Sequence, residues 1–181
     1  VSAFDVAEGR EILVPSRPKP AANDMGEGLT MAEMANFVRS AGPDGKGPRY
    51  KEMDQQDIDW VVGCFASSAR LVADAGFDGV EIHAGHGYLL SSYLSPYANR
   101  RDDNYGGSLE NRARLLLEVV AAIKAAVGDE FPIMVRIDAH EYRTEGGITI
   151  ADAVAVSKML EAAGCHAINV SAYSNNSAIG F

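Results

Sequence analysis

Three stretches of the chain space their apolar residues as a helix does, and each runs through a glycine into a short strand. After Asp54, which reads as an N-cap, Ile58, Val61, Val62, Phe65, Ala66, Ala69, Val72 and Ala73 fall on one helical face. Gly76 reads as a left-handed stop, and Gly79 to His83 follows as a strand. Ser108 predicts the start of a second helix, apolar at Leu115, Leu116, Val119, Val120, Ile123 and Val127 and closed by Gly128. Pro132 then precedes a strand from Ile133 to Asp138. Thr149 or Asp152 opens a third helix with Val156, Met159, Leu160 and Ala163 on its face, Gly164 stops it, and Ala167 to Ala172 is the third strand.

The stretch Ala75–Ala84 is echoed by Ala163–Ala172, so helix, glycine stop and strand recur as one unit. Repeated βα units predict parallel strands joined by right-handed crossovers. Strand parity then separates two architectures. Val80 and Ile82, Val135 and Ile137, Ile168 and Val170 share one face, while Glu81 and His83, Arg136 and Asp138, Asn169 and Ser171 share the other. A doubly wound sheet is covered on both faces and reads apolar throughout. One polar face in every strand predicts α/β architecture of the (β/α)₈ TIM-barrel type, with the polar side leading to an active-site mouth. A full barrel takes roughly 200–250 residues, so about three βα units make this a partial segment. Residues 1–53 read as a loop-rich lead-in and insertion, and 54–181 as the central part of the barrel.

The lead-in is rich in proline, glycine and charge, with a weak helical patch from Leu29 to Val38. The chain starts without Met and ends just past an apolar strand, as a piece of a longer protein would. A net charge of -9 argues against nucleic acid or an anionic membrane as the main partner and leaves a small molecule or a homo-oligomer. No apolar run is long enough to span a membrane, and no signal pattern opens the chain, so a cytoplasmic location is the expectation. Cys64 and Cys165, remote from each other, read as buried thiols.

Candidate chemistry gathers where the first strand ends. His83 and His86 stand three apart and Tyr88 two further on, at the carboxyl end of a strand, where α/β folds hold their active sites. The two imidazoles could donate N–H groups to a substrate oxygen. They could equally ligate a metal with Asp138 or His140, or simply fix the loop. Tyr88 favours the first, because a phenol beside two histidines suits proton donation. Arg136 on the inward face needs an anion or a polar ligand, or an internal partner in Glu81 or Asp138. His140 and Tyr142 are placed in the loop after the second strand, and His166, at the opposite strand end, reads as structural. The stretch Asn99–Gly107 reads as a solvated loop.

Taken in order, these residues resemble the old yellow enzyme family of FMN-dependent NAD(P)H:flavin oxidoreductases. The likeness runs from about Asp54 to Ala172 through Ala75–His83, His86-Gly87-Tyr88-Leu89-Leu90, Leu94-Ser95-Pro96, Asn99 to Ser108, Glu110-Asn111-Arg112, Arg114 and Val135-Arg136. The resemblance implies an FMN-bearing barrel in which His83 and His86 bind the electron-withdrawing oxygen of an activated alkene. It implies Tyr88 as the proton donor, Arg136 as a flavin contact and NAD(P)H as reductant, with no metal. The pattern is also similar to dienoyl-CoA reductases and trimethylamine dehydrogenase, whose longer chains add a 4Fe-4S site and an FAD-type nucleotide domain. The competing readings are a barrel metallohydrolase using His83, His86 and Asp138, and a module without turnover.

Overall fold

The computed structural model describes residues 10–18 and 49–174; the predicted helical patch at 29–38 lies outside the described residues. The elements in chain order are β1 (Glu11–Val14), β2 (Arg49–Glu52), α1 (Gln55–Asp74), β3 (Val80–Ala84), α2 (Leu89–Leu94), α3 (Leu109–Val127), β4 (Ile133–Tyr142), α4 (Ile150–Ala162) and β5 (Ala167–Ser174). The predicted caps hold. Asp54 forms a reciprocal capping box with Asp57 at the start of α1, Ser108 accepts from the Asn111 N–H at the start of α3, and Thr149 pairs with Asp152 at the start of α4. Gly76 and Gly164 take φ of 82° and 85° just past α1 and α4, so these stops need glycine.

β3, β4 and β5 form a parallel sheet in that order. Ile82 lies opposite Val135, Ala84 opposite Ile137 and Ile168 opposite Val135, and this face packs into a core with Ile58, Leu115, Leu116, Val119, Val120, Ile123 and Leu160 from the helices. The other face carries Glu81, His83, Arg136 and Asn169. Arg136 Nε donates to Glu81 Oε1 at 2.9 Å and Asn169 Nδ2 to Glu81 Oε2 at 3.0 Å. The one-sided polarity read from the sequence is therefore real, and its groups are linked across all three strands. Among the described residues β3 and β5 have one neighbour each, so the sheet is an arc with two open edges. No helix among the described residues is long and apolar enough to cross a membrane.

Five expectations change. The lead-in is not loop alone: β1 and β2 form a parallel pair, each too short at four residues to show a period. The stretch between β3 and α3 contains α2, whose Leu90, Ser91, Tyr93 and Leu94 are buried. A helix of six residues draws little stability from its own hydrogen bonds. Tertiary bonds hold it instead: Ser91 Oγ donates to Asp138 Oδ2 at 3.2 Å and Ser95 Oγ, just past its end, to Glu141 Oε2 at 2.6 Å. β4 runs on to Tyr142 through a β-bulge between Asp138 and Glu141, so His140 and Tyr142 lie in a strand and not in a loop. The bulge breaks the alternation by which a strand is recognised. Cys64 is exposed on α1, whereas Cys165 is half-buried, and burial pushes its thiol above the ordinary value.

The stretch Asn99–Gly107 is likewise packed. Asn99 is buried and its Nδ2 donates to Tyr93 O at 2.8 Å and Tyr105 O at 2.7 Å. Arg101 Nη1 reaches Met53 O at 2.7 Å and Pro15 O at 3.3 Å, tying the β1–β2 region to the barrel. Buried Arg112 donates from Nε to Leu94 O at 2.8 Å and from Nη1 to Gly107 O at 2.6 Å, and lies 3.4 Å from Asp152. Irregular backbone inside a fold leaves carbonyls without ladder partners, and these side chains supply the donors.

Candidate active site

The polar face of β3 presents His83, and the chain then reverses through Gly85-His86-Gly87 into Tyr88, the N-cap of α2. His86 has φ 60° and Gly87 φ 69°. Two successive left-handed residues turn the chain back over the strand end, so residues three and five positions beyond His83 return to it. The His83 and His86 ring centroids lie 5.0 Å apart at an interplanar angle of 79°, and those of His83 and Tyr88 5.1 Å apart at 58°. The structure thus brings together the three residues predicted as one group, around His83.

Their environments differ. Tyr88 is 49% exposed. Nδ1 of His83 is buried and has no hydrogen-bond partner, a condition rare in folded proteins and costly unless a ligand relieves it. Burial, then the neighbouring His86 and Arg136, hold the His83 imidazole below its ordinary pKa, so it is neutral at pH 7. Arg136, in register beside His83, has Glu81 as its ion partner; the Asn169 amide and then Arg136 draw Glu81 below the usual carboxylate range.

Asp138 is engaged elsewhere. It is buried and accepts the His86 backbone N–H at 2.6 Å, the Ser91 hydroxyl at 3.2 Å and the Ser171 hydroxyl at 2.9 Å. Its part in the turn was missed because Asp138, Ser91 and Ser171 lie too far apart in sequence for spacing to join them; only the alternation of β5 hinted at Ser171. His140 lies against the Tyr142 ring, centroids 4.5 Å apart. Among the described residues no group of three His, Cys, Asp or Glu side chains could hold a metal ion, so the metallohydrolase arrangement of His83, His86 and Asp138 is not formed. His166 is structural, as expected: its Nδ1 accepts from the Ile133 N–H at 3.1 Å, and its own N–H donates to Ile133 O.

Parallel βα units, one polar sheet face and a histidine–tyrosine turn at the strand ends are the parts of an α/β barrel with a polar site at its mouth. The family model of the NADH:flavin oxidoreductase / NADH oxidase family matches residues 20–179. An NADH oxidase of Thermoanaerobacter brockii is 43% identical over 126 residues, 70% of this chain and 19% of that protein. An NADPH dehydrogenase of Geobacillus sp. (strain WCH70) is 44% identical over 121 residues, 67% of this chain and 35% of that one. Among solved structures, a 2-naphthoyl-CoA reductase bound to 2-naphthoyl-CoA superposes with a TM-score of 0.66 at 34% identity, covering 70% of this chain and 19% of the other. The chain belongs to the NADH:flavin oxidoreductase / NADH oxidase family, the old yellow enzyme family. It is a part of that family's TIM barrel, and it spans between a fifth and about a third of the length of these relatives.

Proposed function

We propose that the whole protein is an FMN-dependent NAD(P)H oxidoreductase that reduces a carbon–carbon double bond activated by a neighbouring carbonyl, as in an enone or an enoyl thioester. The observation that carries this reading is the convergence of His83, His86 and Tyr88 on one turn at the mouth of the sheet. The residues present fit FMN. Arg136 stands on the polar face and, among the described residues, is engaged through Nε by Glu81, so its Nη groups can set a positive charge against an electron-accepting ring.

Bound FMN would supply the redox step, taking hydride from NAD(P)H and passing it to the β-carbon of the alkene. Arg136 would hold the flavin. His83 and His86 would donate N–H groups to the substrate carbonyl oxygen, drawing electron density from the β-carbon and stabilising the enolate that forms. Neutral His83 suits this role, since it remains a hydrogen-bond donor without placing a full charge in the site. The Tyr88 phenol would deliver the proton to the α-carbon, and its exposure on the turn lets solvent restore it.

The test is Tyr88→Phe in the full-length protein, followed by rapid-mixing absorbance. Reduction of the flavin by NAD(P)H should be unchanged, while reoxidation by a small cyclic enone should slow on the order of 10²–10⁴-fold. Reoxidation at the wild-type rate would remove Tyr88 from the mechanism.

A further inference from the structure

The turn that carries His86 is held by a group outside the reacting set. His86 is a non-glycine residue in the left-handed region, a conformation an L residue adopts only when its surroundings compensate. Its backbone N–H donates to Asp138 Oδ2 at 2.6 Å, a short hydrogen bond. Asp138 is itself fixed from two other elements, by Ser91 of α2 on the same oxygen and by Ser171 of β5 on Oδ1. Gly85 fits the same contact, since a Cβ there would lie 3.0 Å from Asp138 Oδ1 and 3.3 Å from Ser171 Oγ. The imidazole also lies near this carboxylate: His86 Nε2 is 3.9 Å from Asp138 Oδ1.

We propose that Asp138 is a positioning residue, whose buried carboxylate locks the Gly85-His86-Gly87 turn and thereby sets where His86 meets the substrate carbonyl. The proposal rests on the reading of His86 as a substrate-binding donor. Asp138 does not touch the reacting atoms; it acts through the His86 amide. Misplacing a binding group by about 1 Å costs on the order of 10²-fold in rate, which is the scale expected when this carboxylate is lost.

The experiment uses the full-length holoenzyme with ¹⁵N-labelled histidine, comparing wild type with Asp138→Ala and Asp138→Asn. In the wild type the His86 amide proton should resonate far downfield and exchange slowly. In Asp138→Ala it should move upfield and exchange faster, and kcat/KM for 2-cyclohexen-1-one per bound flavin should fall on the order of 10²-fold. Asp138→Asn keeps an oxygen for the amide and should recover most of both. A purely structural Asp138 would lower Tm while leaving the His86 resonance and kcat/KM per flavin at wild-type values, and that result would overturn the proposal. So would an Asp138→Asn protein as impaired as Asp138→Ala with its His86 amide still protected. If Asp138→Ala does not fold, Ser91→Ala and Ser171→Ala each remove one restraint on the carboxylate; both should speed exchange of the His86 amide, and no change in either counts against the lock. His86→Ala separates the two readings. Full alkene reduction in that variant would reject the substrate-binding role, while the amide measurement in the Asp138 variants still decides the lock.

Discussion

The turn from Glu81 to Tyr88 and the loop from Asn99 to Arg114 are both dense in polar side chains, and both carry the family likeness. They differ in where their hydrogen-bonding capacity goes. In the loop the donors are turned inward onto carbonyl oxygens: Asn99 to Tyr93 and Tyr105, Arg101 to Met53, Arg112 to Leu94 and Gly107. In the turn the backbone is held by Asp138, while His83 keeps a buried nitrogen without a partner and Tyr88 stays half in solvent. A satisfied polar group builds the fold, whereas an unsatisfied one on a fixed backbone is free to act on a ligand. Residue type alone does not separate the two.

Paired substitutions put this contrast to the test. Tyr88→Phe should abolish most turnover, as above, and leave the melting temperature where it was. Arg112→Met should do the reverse. It strands two backbone carbonyls and leaves Asp152 without its ion partner, a loss of about 3 kcal/mol in denaturant unfolding, with turnover per folded, flavin-loaded molecule unchanged. Burial already pushes the Arg112 guanidinium below its ordinary pKa, so its hydrogen bonds offset a real desolvation cost. Asn99→Ala should follow the same pattern at about 2 kcal/mol. Altered alkene reduction in either loop variant, at full folding, would break the division between the regions.

The smallest effect is electrostatic. With His83 held below the ordinary imidazole value of about 6.5, its native state binds a proton less readily than the unfolded chain. The stability tied to its neutral form is therefore complete above about pH 6.5 and is lost as pH falls from there through the lowered native value. Histidine NMR should find His83 titrating below the ordinary range, and His86→Ala should move that titration upward by removing a repelling neighbour. A titration at or above the ordinary value would contradict the buried, neutral imidazole.

Much of the scaffold was legible because it is periodic. The faces of α1 and α3 repeat at helical spacing, β3 to β5 alternate, and Asp54, Ser108 and Thr149 mark starts by local chemistry. His83, His86 and Tyr88 were legible because one short turn holds all three. What escaped had no period of its own. β1 and β2 are four residues each, α2 is a helix made by its surroundings, and Arg112 and Asn99 look like surface residues until their carbonyl partners are known. The partner of Arg136 stayed open for a related reason: two carboxylates, Glu81 and Asp138, lay within its reach, and only the folded geometry gives Glu81 the cation and Asp138 the turn.

The bulge in β4 matches two rulers of different pitch. Ser91 and Ser95 are four residues apart, which along a helix is about 6 Å. Their acceptors, Asp138 and Glu141, are three apart, and in a regular strand residues three apart point to opposite sides. The extra residue absorbed between them makes that interval count as two, about 6.6 Å along a strand, and brings both carboxylates to the serine side. A strand without the bulge would engage one serine and turn its other acid away. One inserted residue thus lets a helix of fewer than two turns grip the sheet through two serines, and it leaves Tyr88 at the near end of a fixed lever.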